Sequence, residues 1–242
     1  MSTKTTTISV NGQEVLIVRK DIKNMHLAVY PPEGKIRVAA PHAIDDETIR
    51  LAVISRLGWI RKQQKNFENQ ERQSLREMVS GESHYFAGRR YRLKVLEKAG
   101  RSSVRIIGTS FIELTVPPGT DRDTRERILE RWYRRQLRRL IPGLLAKWEP
   151  IIGVQVKEVQ IKKMKTRWGT CNIEAGRIWL NLELMKKPSQ CLEYILVHEL
   201  VHLLERHHND RFIGLMDKFL PPWRTLRSQL NKAPLAHSDW KY

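Results

Sequence analysis

Cysteine is nearly absent from the 242 residues: Cys171 and Cys191 are the only two. That is too few for a disulfide scaffold, and their spacing is not the CxxC of a zinc knuckle. Long hydrophobic runs are missing as well. No apolar stretch approaches the ~18 residues a membrane span requires, so no membrane partner is expected. The opening residues, Met1-Ser2-Thr3-Lys4-Thr5-Thr6-Thr7, have no hydrophobic core and do not read as a signal peptide. Acidic residues are scarce beside basic ones, 26 against 44, which leaves a formal net charge of +18. No glycine run of the P-loop kind is available to cradle a phosphate. The chain is nevertheless 40% hydrophobic with 7 Trp, too apolar for a disordered basic tail. The expectation is a folded, cytoplasmic protein long enough for one large domain or two small ones.

Strand patterns with turn punctuation fill the first half. Alternation through Ile8 and Val10 stops at Asn11-Gly12, a two-residue hairpin signal, and resumes at Val15 and Ile17. Met25–Tyr30 reads as a strand, Pro31-Pro32-Glu33-Gly34 as a turn and Ile36–Ala40 as a further strand. From Asp45 to about Met78 the spacing of Ile49, Ala52, Val53, Leu57 and Ile60 predicts a helix. The pattern recurs 76 residues later. Gly12 matches Gly88, Ile36-x-Val38-x-Ala40-Pro41 matches Ile112-x-Leu114-x-Val116-Pro117, and Asp45-x-x-Thr48 matches Asp121-x-x-Thr124 before a second helix to about Trp148. An internal duplication of a strand-strand-strand-helix unit follows, in an α+β arrangement, since two copies are too few for a solenoid.

After Pro150 the texture changes. Val154–Ile161 alternates as a strand, Lys162 to Arg167 is basic, and Arg167-Trp168-Gly169-Thr170-Cys171 reads as a turn. Arg177–Glu183 is a further strand, and a helix runs from Ser189, a candidate N-cap, to about Arg206. A short helix, Asp210 to Phe219, stops at Pro221-Pro222. The expected division is a strand-rich region, residues 1–118, packed on a catalytic domain, residues 119–242.

His198-Glu199-Leu200-Val201-His202 is an HExxH on the Ser189 helix. At ~100° per residue the two histidines lie about 40° apart and Glu199 about 60° beyond His202. Two imidazoles on successive turns can grip one Zn²⁺, while the adjacent carboxylate reaches the metal's water without ligating the metal. The rest of the helix is apolar on nearly every side, so it belongs in the core, and a polar line there needs partners or a cleft. Catalytic zinc takes three protein ligands and leaves a fourth position open. Four of the 8 histidines fall between His198 and His208. The third ligand is therefore His208 or His207, with Glu205 or a later acid as the remaining alternatives. His208 is favoured, because six residues past His202 the chain can turn back, with Phe212 packing beneath; His207 would then sit beside the site or in solvent.

Taken together, Met164-Lys165-Thr166-Arg167-Trp168-Gly169-Thr170-Cys171, Ile178-x-Leu180-Asn181 and His198-Glu199-Leu200-Val201-His202-x5-His208-x3-Phe212 resemble the bacterial YgjP-like metallopeptidase family. That family is related to the SprT-like and WLM zinc peptidases. The motifs cover about residues 160–225. The resemblance implies a zincin-type catalytic domain with an HExxH active-site helix, one Zn²⁺ on His198, His202 and His208, Glu199 as general base, and a protein or peptide substrate. Metzincins place a turn-making glycine three residues past the second histidine; here that position is Glu205. In such a site zinc would lower the pKa of its bound water toward ~7 and polarise the scissile carbonyl. Glu199 would take the water proton and later hand it to the leaving amine. The strand Ile178–Glu183 is the expected edge of the cleft, by analogy with zincins. Arg167 and Asn181 either orient substrate or hold the turn and strand together. Cys171 and Cys191 are expected as small core residues.

Arg131, Arg134, Arg135, Arg138 and Arg139 recur on one face of the second helix, with Trp132, Leu137, Leu140 and Ile141 expected to pack inward. Lys162, Lys163, Lys165 and Arg167 form a second basic cluster. These arginines are candidates for non-specific binding of nucleic acid or another polyanion; the alternative is a solvated face paired with Glu126 and Glu130. Two other functions compete with the peptidase. Zinc beside a basic surface could serve a nucleotide or phosphoanhydride hydrolase, and a structural zinc could stabilise a nucleic-acid-binding module. The missing phosphate loop counts against the first and the open fourth position against the second.

Overall fold

The computed structural model describes residues 4–30, 33–68, 76–164 and 167–232. The chain is mixed α+β and divides into two compact units, Met1–Glu71 and Arg72–Tyr242. Among the described residues no helix is long and apolar enough to cross a membrane.

In the first unit, β1 (Lys4–Val10) and β2 (Gln13–Lys20) form the expected hairpin, followed by β3 (His26–Tyr30), β4 (Lys35–Pro41), α1 (Asp46–Ile54) and α2 (Leu57–Glu68). Of the Pro31–Gly34 turn, Pro31 and Pro32 lie outside the described residues. The strand order is β1-β2-β4-β3, with β2 and β4 parallel. Alternation sends Val15, Ile17, Ile36 and Val38 to one face, where Ile49, Val53 and Ile60 cover them. The single helix expected from Asp45 is broken after Ile54. There the Ser55 hydroxyl donates to the Ala52 carbonyl (2.9 Å), and Gly58 follows, so the local bonds favour a turn. The stretch 69–75 lies outside the described residues, and Met78 is not helical (φ 59°).

The second unit opens with the same strand order. Strands β5 (Ser83–Phe86), β6 (Arg89–Glu97), β7 (Ser103–Ile107) and β8 (Phe111–Val116) lie as β5-β6-β8-β7, with β6 and β8 parallel. Both hairpins turn through two residues at positive φ: Asn11 (48°) and Gly12 (76°), then Ala87 (48°) and Gly88 (79°). Both following helices are capped alike. Asp45 accepts from the Thr48 amide and Asp121 from the Thr124 amide, each at 2.7 Å. The parallel pairs are two residues out of step: Val15 lies opposite Ile36, whereas Leu93 lies opposite Ile112. A shift of two keeps the same faces inward.

Helix α3 (Arg122–Ile152) runs past Trp148 to Gly153, whose positive φ (79°) closes it. Its buried stripe steps through Leu129, Tyr133, Leu137 and Ile141. Each step of four advances about 40° around the axis, which leaves Leu140 on the solvent side rather than inward as its spacing implied. Beyond it, β9 (Glu158–Lys162), β10 (Gly169–Asn172) and β11 (Arg177–Asn181) form a sheet of order β10-β11-β9. Part of the expected turn at Arg167–Cys171 is thus a short strand. The strand expected to reach Glu183 ends at Asn181, because a 3-10 helix (Leu182–Lys186) begins there. Then follow α4 (Ser189–Val201), α5 (Asp210–Phe219) and α6 (Trp223–Lys232). Ser189 is not the N-cap: Pro188 occupies that position, with no side-chain capping bond.

One core joins the second sheet to α3 and α4, including Leu93, Leu114, Trp132, Tyr133 and Leu196. The division between compact units therefore falls at Glu71/Arg72, earlier than a boundary after residue 118. The β5–β6 turn seals this union. The Ala87 amide donates to the Met185 carbonyl (2.8 Å), and a Cβ on Gly88 would meet Pro188 at 2.9–3.0 Å. At Gly12, the matching turn residue of the first unit, a Cβ would meet nothing within 4 Å among the described residues. Gly88→Ala should therefore destabilise by about 2–4 kcal/mol, backbone strain plus the clash, against about 1 kcal/mol for Gly12→Ala. Thermal and urea unfolding of the two variants check this; equal losses would mean that the Pro188 contact contributes nothing.

Candidate metal centre

Helix α4 is enclosed by the rest of its unit: Leu192, Tyr194, Leu196, Val197, Leu200 and Val201 are buried, and with them Glu199 at 4% exposure. Removing an apolar side chain of this size from water stabilises by roughly 1.5–3 kcal/mol, which is why a helix apolar on all sides does not remain at the surface. At its N-terminal half, Glu193 accepts from Trp148 Nε1 (2.9 Å) and Lys147 Nζ (2.7 Å) of α3. At its other end, His198 lies in the last turn and His202 is the C-cap. The helix stops at Val201, short of Arg206, and the chain doubles back through 203–207.

That reversal brings His208 to the other two histidines. One ring nitrogen from each of His198, His202 and His208 falls within 4.8 Å of the others, so the three could hold a metal ion. His198 Nε2 and His208 Nε2 face each other at 3.0 Å. His202 Nδ1 donates to the Glu205 carbonyl (3.0 Å), which leaves its Nε2 lone pair for the centre. The Nδ1 of His198 is buried with no hydrogen-bond partner among the described residues. Phe212 forms the floor, its ring centroid 4.9, 4.7 and 4.7 Å from those of His198, His202 and His208. It is held there by Asn209, which caps α5 by accepting from the Phe212 amide at 3.0 Å.

Burial, helped by the neighbouring His202 and His208, pulls the pKa of His198 down to about 3. His202 and His208 are shifted down as well, burial leading in both. Neutral imidazoles are the form that ligates metal, so the donor set fits a divalent cation of the zinc type. Burial pushes Glu199 up to about 8, opposed by the Arg167 charge. Glu199 is not among the three converging donors.

Arg167 is exposed at the rim, and its side chain acts on Glu199 through its charge. Asn181 is buried and holds the preceding loop. Its Nδ2 donates to the carbonyls of Met164 (2.8 Å) and Arg167 (2.7 Å), and its Oδ1 accepts from Met164 (3.3 Å) and Glu183 (3.1 Å) amides. His207 is exposed and apart from the cluster, its amide bonded to Glu205 Oε1. Lys165 lies outside the described residues. Cys191 is buried and Cys171 half-buried. Arg131, Arg135, Arg138 and Arg139 are exposed on α3, while Arg134 is half-buried and donates to the Ile161 carbonyl. Glu126 and Glu130 pair with Lys163 rather than with these arginines.

Two features escape the sequence reading. Strand β11 lies between β10 and β9 and has no free edge, so the edge beside the centre is β10 instead of Ile178–Glu183. At the start of β10, a Cβ on Gly169 would meet Glu199 Oε1 at 2.5 Å and Cγ at 2.8 Å. Only glycine lets the strand lie against that carboxylate, a contact between residues thirty positions apart that no spacing rule encodes.

Three imidazoles around one point, beside a buried carboxylate and a strand edge, make up the layout of a metal-dependent hydrolase. The chain belongs to the YgjP-like metallopeptidase family, whose domain description matches residues 23–233. It is accordingly a metallopeptidase. Comparison with curated proteins found no match. Among solved structures, the metallopeptidase zymogen of Pyrococcus abyssi abylysin shares 24% identity with a TM-score of 0.35, over 37% of this chain and 90% of that one.

The Gly169 contact generates a test. Gly169→Ala should displace the Glu199 carboxylate by about 1 Å and lower peptide hydrolysis about 100-fold, with metal content unchanged. Metal analysis and casein cleavage on the same preparation would decide it; full activity would show that the carboxylate has room to move.

Proposed function

We propose that this metallopeptidase is a zinc enzyme in which His198, His202 and His208 hold one Zn²⁺ per chain and Glu199 is the general base. The observation that carries the reading is the convergence of three imidazole donors within 4.8 Å, with a buried carboxylate one residue from the first of them. When bound, zinc would lower the pKa of a coordinated water toward ~7 and polarise the scissile carbonyl. With the charge of the bound cation beside it, Glu199 would be held ionised; its carboxylate would then accept the proton of the attacking water and pass it to the leaving amine nitrogen. The Glu205 carbonyl fixes the tautomer of His202, and Phe212 keeps the three rings in register and excludes water from below. The free edge of β10 receives the substrate as an extended strand, with Gly169 bringing its first residue to Glu199. Arg167 orients the substrate at the rim, and Asn181 holds the loop that carries Arg167.

The finer features belong to the same proposal. The fold is zincin-like from α3 onward, residues 119–242, with the second sheet as its support, and the enzyme groups with the SprT-like peptidases. The two sheets of one strand order, with matched turns and matched caps, support an internal duplication. The place of action is a bacterial cytoplasm. Arg131, Arg134, Arg135, Arg138 and Arg139 attract nucleic acid and so favour protein substrates bound to it. Four of these arginines are exposed, and the nearest acids of α3 are committed to Lys163, which supports that reading.

Alanine at His198 or His202 should abolish tight zinc binding, whereas Glu199→Gln should keep the metal and lose at least ~100-fold in hydrolysis. Loss of zinc from Glu199→Gln would make Glu199 a ligand and overturn the assignment. Replacing Arg135, Arg138 and Arg139 by Gln should flatten the salt dependence of duplex DNA binding while sparing casein cleavage. An unaltered salt slope in that variant would remove nucleic acid from the proposal.

A further inference from the structure

The second sheet has one face in the core and one in solvent. Tyr91, Leu93, Ile112, Leu114 and Val116 point inward. On the outer face, Ser83, Arg92, Phe111 and Ile107 form one row across all four strands, and Lys94, Glu113 and Arg105 form the next. Phe111 and Ile107 are 40% and 38% exposed, large apolar side chains left side by side in water. The single carboxylate of these rows, Glu113, is neutralised by Arg105 (2.6 Å) and Lys94 (3.5 Å). Arg90 and Arg92 are exposed, and among the described residues no carboxylate pairs with either.

The first sheet, of the same strand order, carries Leu16 and Ala28 on either side of Arg37 on its outer face, where the second sheet carries Lys94 and Arg105 on either side of Glu113. Cations beside an exposed phenyl ring on a sheet suit a ligand with alternating anionic and flat apolar parts. An acidic peptide would use the charges and leave the ring idle. A duplex presents phosphates but keeps its bases stacked on one another. A single strand offers both, since its unstacked bases have π-faces and its phosphates recur at every nucleotide.

We propose that the outer face of the second sheet binds single-stranded nucleic acid, with a base stacked on Phe111 beside Ile107 and phosphates held by Arg90 and Arg92. The surface lies on the side of the sheet opposite the helices of its unit, so binding there is independent of the peptidase chemistry.

The test uses the full chain and a fluorescein-labelled 15-nucleotide oligothymidylate, followed by anisotropy. Phe111→Ala should weaken binding about tenfold and leave a duplex of equal length unaffected. Phe111→Trp should restore the affinity, and its added fluorescence should be quenched on binding. The pair Arg90→Gln/Arg92→Gln should lower affinity at about 50 mM salt and reduce the slope of log affinity against log salt by about 1.4. Casein cleavage should be the same in every variant, which keeps a failure here distinct from a failure of the zinc assignment. Equal oligothymidylate binding by wild type and Phe111→Ala would overturn the proposal. So would tighter binding of a polyglutamate peptide, lost in the same variants, since that would make the partner an acidic protein.

Discussion

The enclosure of α4 is the constraint on which the rest of the second unit depends, because the helix offers apolar side chains in every direction. Something must cover each side, and the fold supplies α3, the β10–β11–β9 sheet, α5 and α6 for the purpose. The cost is that His198 and Glu199 come inside too. Bulk water reaches Glu199 hardly at all and His198 only in part, so burial sets their states: imidazoles kept neutral, a carboxylate pushed toward its protonated form, a ring nitrogen without a partner among the described residues. A polar line in such a place is stable only when its groups converge on something that uses them. The chemistry of the centre and the packing of the helix are thus one problem.

Precision at the centre comes from elements that never touch it. Asn181 spends three of its four hydrogen bonds on the loop before β10 and the fourth on the Glu183 amide, and that loop delivers both Arg167 and Gly169. Asn209 caps α5 and thereby fixes Phe212 under the three rings. The β5–β6 turn grips the chain just ahead of α4 through the Met185 and Lys186 carbonyls and Pro188. Each is a short-range bond with a consequence several ångströms away, in the manner of supporting contacts around metal ligands.

The centre itself was legible because its residues are close in sequence. HExxH on a helix, and a histidine six residues on with Phe212 four beyond it, need only the helical repeat and one chain reversal. The paired sheets were legible for a similar reason: hairpin glycines and Asp-x-x-Thr caps are local signals. What could not be read is what depends on pairing between distant segments. Strand order decides that β11 is central and β10 the edge, and the approach of Gly169 to Glu199 follows from that order alone. The break at Ser55 and the 3-10 turn after Asn181 were hidden because short side-chain bonds override an otherwise continuous pattern. Leu140 escaped because the buried stripe of α3 winds around the helix with distance.

The two hairpin turns share their backbone angles and differ in what surrounds them. Ala87-Gly88 is clamped against the start of α4, whereas among the described residues nothing occupies the space where a side chain at Gly12 would be. A loop of that kind accepts inserted sequence without loss of the strands that flank it. Asn11-Gly12 is therefore where an affinity peptide or a fluorophore can be grafted into this enzyme, giving a handle for following it that leaves the second unit as nature built it.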